Sequence, residues 1–397
     1  MIRTIHPFPA RMAPELALAT LSNLAPGSTV LDPMSGSGTV IRQAAEMGHK
    51  PIGFDMDPLA VLMSKVWTSP VDDELIGNVA DSLLKDVIDL DSKDVWLPWI
   101  DESIQTTEFI DYWFGKQQQM ELRKIAYVLH KFSECRFSKA KHSAADVVRI
   151  ALSRIIITKE QSASLARDTS HSRPHKVTDS SDYDISEGLQ RSLNQVRKRL
   201  LENPPTGESL IKLGDARSLK AMKRESVDAV LTSPPYLNAI DYLRGHRMSL
   251  VWLGHRIEDL RGVRSSSIGA ERAPDKPIKT DRFDPIQRAM CDLSELPTKH
   301  QSMIERYSED VYRMVSEIAR VTKPGGTATF VVGNSCLKGI FIQNSAGVAI
   351  AASMHGLKEL RTYERDLPSN SRYLPMTKDG ALGKRMRTET IISFERQ

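Results

Sequence analysis

The sequence predicts an α/β protein: an open, mostly parallel sheet interrupted by a long helical insertion. Three observations carry that prediction. A strand, a glycine-rich loop, a helix and a second strand follow one another within residues 28–55, the order of a parallel β-α-β unit. Short apolar runs bounded by turn residues, Val227–Leu231 and Thr327–Val332, recur late in the chain, as buried strands do. Between these regions, residues 71–204 place their apolar side chains at helical spacing and show no clear strand.

The elements follow in order. Residues 6–12 are extended by Pro7 and Pro9 and lead into a helix from about Pro14 to Leu24. Pro26-Gly27 turns the chain into the strand 28–32, and Pro33–Thr39 is a glycine loop that opens a helix reaching about Met47. Gly48 ends that helix, and residues 51–55 form the second strand. Pro58 starts another helix, Leu59 to about Trp67. After the insertion come a strand at 210–213, the strand 227–231 and a helix from Ile240 to Leu253. Residues 261–285 are polar and arginine-rich and read as a loop. A helix (301–321), a strand after Pro324-Gly325-Gly326, a helix (344–354) and two strands, 357–365 and 389–395, complete the chain. The expected division is therefore 1–70 with 205–397 as one domain and 71–204 as the insertion.

Composition bounds the function. The chain has 397 residues, 40% hydrophobic and 26% charged, with a net charge of +4, ordinary for a globular protein. No apolar run approaches the ~20 residues that span a bilayer, and the N-terminus lacks the apolar core of a signal peptide. Three cysteines, Cys135, Cys291 and Cys336, occur far apart and in no C-x-x-C pair, which fits a cytoplasmic location and argues against a zinc site. Acidic residues outnumber basic ones twelve to two from Val71 to Gly115, and basic outnumber acidic seventeen to nine from Lys116 to Leu200. The basic stretch suits a polyanion such as DNA or RNA, although a solvated helical surface produces the same pattern. Within it, residues 167–176 read as a polar, proline-broken loop whose Arg167, Arg173 and Lys176 are candidate phosphate contacts.

Two motifs carry chemistry. Asp32-Pro33-Met34-Ser35-Gly36-Ser37-Gly38-Thr39 lies at a strand end, and Asp55-Met56-Asp57 follows the next strand. Glycines let backbone approach a ligand, and an acid after the second strand accepts bonds from ribose hydroxyls. No lysine follows Gly38, so a P-loop is excluded. Thr232-Ser233-Pro234-Pro235-Tyr236 ends a later strand. Its two prolines fix φ and hold a small polar group and an aromatic ring rigidly at the sheet's ligand-binding edge. Asp215-Ala216 ends the strand between these two motifs, where a carboxylate can accept from an adenine amino group.

The glycine loop resembles the D-P-F-x-G-S-G-T motif of S-adenosylmethionine-dependent DNA amino-methyltransferases, and the Ser233–Tyr236 turn is similar to their (S/T/D/N)-P-P-(Y/F/W) motif. His6-Pro7-Phe8-Pro9-Ala10-Arg11 is similar to the family's extra N-terminal motif. The resemblance covers about residues 1–70 and 205–397. It implies a Rossmann-like class I methyltransferase fold: a mostly parallel seven-stranded sheet with helices on both faces. It implies that Phe8, Pro9, Asp32, Pro33, Ser35, Gly36, Ser37, Gly38 and Thr39 line the methionine and ribose side of S-adenosylmethionine. Asp55 would hold the ribose, with Met56 beside it and Asp57 as the rival acid, and Asp215 and Ala216 would meet the adenine. Ser233 and the Pro234 carbonyl would accept from an exocyclic amine, with Pro235 bracing the turn and Tyr236 stacking on the flipped base.

Serine at position 233 implies N4 of cytosine, since the family's D-P-P-Y members act mostly on N6 of adenine. Double-stranded DNA is then the expected partner, with Arg264 and Arg372 as further contacts. A homodimer and a cognate restriction nuclease are the protein partners the resemblance admits. The family's recognition region usually lies elsewhere, so residues 71–204 have either a DNA-recognition or a dimerisation role. An RNA amino-methyltransferase acting on tRNA or rRNA, and a catalytically idle DNA-binding regulator, are the competing expectations.

Overall fold

The computed structural model describes residues 5–7, 12–168, 174–237, 241–270, 280–366 and 388–397. The chain forms two compact units. One comprises Ala10–Met56, Ser209–Ala239 and Ser265–Gln397, and the other Met1–Pro9, Asp57–Glu208 and Ile240–Arg264.

The first unit is built on seven strands: β1 (Thr29–Asp32), β2 (Lys50–Asp55), β3 (Leu210–Leu213), β4 (Val227–Thr232), β5 (Thr322–Gly333), β6 (Leu357–Asp366) and β7 (Thr388–Arg396). Their order across the sheet is β6-β7-β5-β4-β1-β2-β3. The five strands from β5 to β3 are parallel, and β7 is antiparallel to both neighbours. This is the Rossmann-like α/β sheet expected from the sequence. Alternation explains how both faces are covered. In β1 and β4, Val30 and Leu231 pack with Ala17 and Leu21 of α1 (Pro14–Leu21) and with Val40 and Ala44 of α2 (Thr39–Glu46). The intervening Leu31 and Val230 join the opposite core. There they meet α3 (Asp284–Met290), α4 (Thr298–Val321) and α5 (Asn344–Met354), through Ile286, Ile304, Val311, Val315 and Val348.

Three local expectations are corrected. β5 starts at Thr322, not after Gly326; the Pro324–Gly326 stretch is absorbed as an irregularity between the Val227 and Ala229 pairings. A Cβ on Gly326 would sit 2.9 Å from the Asp228 carbonyl oxygen, so only glycine lets the backbone pass. Residues 261–266, the start of the arginine-rich loop read from sequence, belong to a helix, Ile257–Ser266, because Ile257 and Leu260 bury one side of it. The polar stretch at 167–176 begins and ends in a short antiparallel ladder pairing Ala166–Arg167 with His175–Lys176. A two-residue turn at Lys338-Gly339, both at positive φ (53° and 87°), also closes an unforeseen hairpin, Ser335–Leu337 with Ile340–Ile342.

The second unit is helical. Its helices include Pro58–Thr68, Asp73–Asp89, Ile104–Trp113, Lys116–Glu134, Lys139–Ile156, Ile185–Glu202 and Leu243–Leu250. Asp72, Ser103, Ser138 and Asp184 cap four of them by accepting a backbone N–H. Lys139–Ile156 is the central helix; Ala144, Ala145, Val147, Val148, Ile150, Ala151 and Leu152 are all buried. Phe114 meets Trp252 edge-on at 5.0 Å, and Trp99 donates its indole N–H to the Val251 carbonyl at 2.8 Å. Among the described residues no helix is long and apolar enough to cross a membrane.

Candidate active site

In the sheet unit, four adjacent parallel strands end at one edge, and each end carries a motif. β1 runs into the glycine loop and β2 ends at Asp55. β3 leads to Gly214-Asp215-Ala216, and β4 leads to Ser233–Tyr236. Because β1 and β4 are neighbours, the glycine loop and the proline turn start side by side. Thr232, the last residue of β4, donates its hydroxyl to Asp32 Oδ1 at 2.7 Å. The Met34 amide reaches the same oxygen at 3.2 Å.

Asp32 is buried, and burial pushes its carboxyl up to about 7, with repulsion from Asp55 adding to the rise and the Thr232 and Met34 bonds opposing it. The loop beyond it is tightly folded. Ser35 N–H donates to the Phe54 carbonyl and Gly38 N–H to that of Ser35, both at 2.8 Å. Gly36 and Gly38 take φ of 50° and 88°, left-handed values that glycine adopts without penalty. The Gly36 amide donates to Asp55 Oδ2 at 2.8 Å, so the β2 acid holds the loop's shape. Pro33, Ser37 and Thr39 are buried with it. Among the described residues, the hydroxyl of buried Ser35 has no hydrogen-bond partner. Such a group calls for a polar ligand, and a loop with two left-handed glycines and an adjacent acid fits a nucleoside-bearing cofactor.

Asp215 is engaged from within the protein. Arg217 donates to it from its amide (2.9 Å), Nε (3.0 Å) and Nη2 (2.8 Å). The same guanidinium reaches Asp310 of α4 at 2.6 Å, the Ser266 carbonyl at 2.6 Å and Met56 Sδ at 3.9 Å. Burial raises the Asp310 carboxyl, against the pull of Arg217 and a backbone bond from Gly269. Met56, Asp215 and α4 are thus joined through one arginine. Ala216 is buried beside them.

The proline turn is held from both sides. Ser233 Oγ donates to the Val331 carbonyl of β5 at 3.0 Å. Tyr307 of α4, fully buried, donates its hydroxyl to the Pro235 carbonyl at 3.1 Å. Burial, reinforced by Asp310, drives the Tyr307 pKa far above that of a free phenol, so the hydroxyl keeps its proton. Gly269, at φ 72°, packs so close that an added Cβ would sit 3.0 Å from the Tyr236 carbonyl oxygen.

The sheet unit therefore brings together Asp32, Pro33, Ser35–Thr39, Asp55, Met56, Asp215, Ala216 and Ser233–Tyr236. Asp57, Arg167, Lys176 and Arg264 belong to the helical unit. Asp57 caps the helix Pro58–Thr68 through Leu59 N–H (2.9 Å), and its other oxygen lies 2.5 Å from His246 Nδ1. Arg167 turns onto the Ala166 carbonyl at 2.9 Å. Lys176 pairs with Asp179 at 2.8 Å and lies over the Tyr112 ring. Phe8, Pro9, Arg173 and Arg372 lie outside the described residues. Sequence reasoning missed Arg217, Tyr307, Gly269 and the Val331 carbonyl; a single arginine two residues after Asp215 was the one available signal.

Residues 3–76 match the family model UPF0020, described as an RMKL-like methyltransferase domain. The chain is 24% identical to the Type II methyltransferase M.MvaI of Kocuria varians, over 98% of this chain and 90% of that protein. It is 21% identical to the Type II methyltransferase M.BsoBI of Geobacillus stearothermophilus, over 86% of this chain and 75% of the relative. With M.MjaII of Methanocaldococcus jannaschii, also a Type II methyltransferase, it shares 23% identity over 62% of this chain and 61% of the relative.

Proposed function

We propose, from the premise that the chain is an S-adenosylmethionine-dependent methyltransferase, that it methylates the exocyclic N4 amine of a cytosine flipped out of duplex DNA. The observation that carries this reading is the Ser233 hydroxyl. Its proton is directed at the Val331 carbonyl, so the oxygen presents lone pairs to anything at the sheet edge. An exocyclic amine offers two N–H donors, and a site of acceptors suits it.

Bound S-adenosylmethionine supplies an electrophilic methyl group on a sulfonium. The chain's part is orientation and electrostatics. The amine is a poor nucleophile because its lone pair is delocalised into the ring. Ser233 Oγ and the Pro234 carbonyl would draw its two hydrogens out of that plane and aim the lone pair, a preorganised acceptor pair. Tyr307 and Gly269 hold the far side of the turn, which limits its movement. Tyr236 would stack on the extruded base. Ser35, Gly36, Gly38 and Asp55 would hold the donor. Asp55 is favoured over Asp57 for the ribose because it already touches the loop, whereas Asp57 caps a helix and meets His246. DNA as the polymer draws support from the Type II relatives, and N4 as the atom from serine at position 233.

Incubation with tritiated S-adenosylmethionine tests the reading. Label should enter duplex DNA of varied sequence and not tRNA or rRNA; label confined to RNA, or absent from both, would overturn it.

A further inference from the structure

In the helical unit several half-buried arginines have a carboxylate of their own: Arg197 with Asp73 at 2.7 Å, Arg123 with Asp101 at 2.8 Å and Arg149 with Asp146 at 2.8 Å. The helices Leu243–Leu250 and Ile257–Ser266 depart from that pattern. Each carries two arginines three residues apart, Arg244 and Arg247 on one and Arg261 and Arg264 on the other, a spacing that puts both on one helix face. Arg264 bonds Asp241, and Arg244 shares that same carboxylate at 3.8 Å. Arg261 is exposed and donates to Gln105, not to an acid. Arg247 is half-buried; it lies over the Phe109 ring at 5.1 Å and donates Nε to the Arg244 carbonyl at 3.3 Å. Burial, then repulsion from Arg264, depresses its pKa to about 10, with Arg261 and Arg244 adding to the fall and Asp241 opposing it. Among the described residues, one carboxylate thus serves a group of four guanidinium ions.

Desolvated positive charge is unfavourable until an anion completes it. A guanidinium fixed over an aromatic ring is already oriented for the two-pronged contact that phosphate oxygens accept. We propose that Arg244, Arg247, Arg261 and Arg264 form a docking site for the backbone phosphates of duplex DNA. The proposal rests on the DNA reading given above and adds the surface that would hold the polymer. The site would carry no base information, since phosphate contacts position the duplex without reading sequence.

The test is binding of the full chain to a short mixed-sequence DNA duplex, followed by fluorescence anisotropy across a salt series. For the wild type, log affinity should fall steeply with log salt. The slope should drop by about 1 in Arg247→Met and by about 2 in the double variant Arg244→Gln/Arg261→Gln. Arg288→Gln, which removes the same charge from an exposed position (side chain 81% accessible), should leave the slope unchanged. Titration with S-adenosylmethionine reports whether each variant folds; if Arg247→Met fails it, the double variant decides. A wild-type slope retained in the folded variants overturns the docking site. No salt-dependent affinity of the wild type for DNA overturns the DNA reading itself. Tighter binding to a duplex RNA of the same sequence also counts against the proposal.

Discussion

The hydroxyl of Thr232 donates to the carboxylate of Asp32 across 2.7 Å, tying the strand that feeds the proline turn to the strand that feeds the glycine loop. The two motifs are 200 residues apart in the chain, yet one bond fixes their spacing at the sheet edge. The acid in that bond is poised near neutrality.

Burial is what raises Asp32 to about 7 from an ordinary 3.8. The folded state then binds a proton more tightly than the unfolded chain does. The stabilisation from this group is complete below about 4 and is lost as pH rises through about 7. The melting temperature of the wild type should therefore fall between pH 5 and 8 by more than that of Asp32→Asn, as followed by calorimetry. Ionised Asp32 should also favour a cationic ligand. The affinity ratio of S-adenosylmethionine to uncharged S-adenosylhomocysteine should rise through the same window, and a flat ratio would remove Asp32 from the cofactor's surroundings.

Ser233→Ala deletes the oxygen that faces the sheet edge. Removing one preorganised hydrogen-bonding group of this kind costs about 10²–10³ in turnover. The expected result is that loss in kcat with the dissociation constant for S-adenosylmethionine unchanged. Full turnover in the variant would take the catalytic role away from Ser233.

Tyr307→Phe keeps the ring in its core and removes the bond to the Pro235 carbonyl. One neutral hydrogen bond is worth about 1 kcal/mol, so kcat should fall roughly five-fold through a looser turn. The KM for S-adenosylmethionine should hold. A fall in melting temperature with no change in kcat would make Tyr307 structural only.

Gly53 sits in β2 behind the glycine loop. A Cβ there would meet Ile211 Cδ1 at 2.9 Å and both Ile41 Cγ1 and Ser35 Cβ at 3.2 Å. Gly53→Ala should destabilise the protein by about 1–3 kcal/mol and weaken S-adenosylmethionine binding by displacing Ser35. Adding Ile211→Val, which removes the closest atom, should recover part of the loss, a coupling expected of residues in contact. Additive effects in denaturant unfolding would refute the contact.

Much of this architecture is readable from local pattern. The runs at Val30-Leu31 and Val227–Leu231 announce buried strands, and Gly36 and Gly38 announce a loop that only left-handed backbone can close. The helix at 257–266 is not announced, because arginine and serine dominate its composition and only Ile257 and Leu260 mark its buried side. Partners distant in sequence are also invisible. Arg217 finds Asp310 ninety-three residues away, and Ser233 uses the backbone of Val331, where any side chain would serve. Asp215 reads from sequence as an acceptor for a ligand; the bond from the arginine two residues on, inside the protein, is not announced there.

The proposed reaction stands or falls on the identity of the methylated atom. Nucleoside mass spectrometry of duplex DNA treated with the protein and S-adenosylmethionine tests it most directly. N4-methyldeoxycytidine is the expected product, formed about 10²–10³-fold more slowly when Ser233→Ala replaces the wild type. N6-methyldeoxyadenosine, or no methylated nucleoside across DNA of varied sequence, would contradict it.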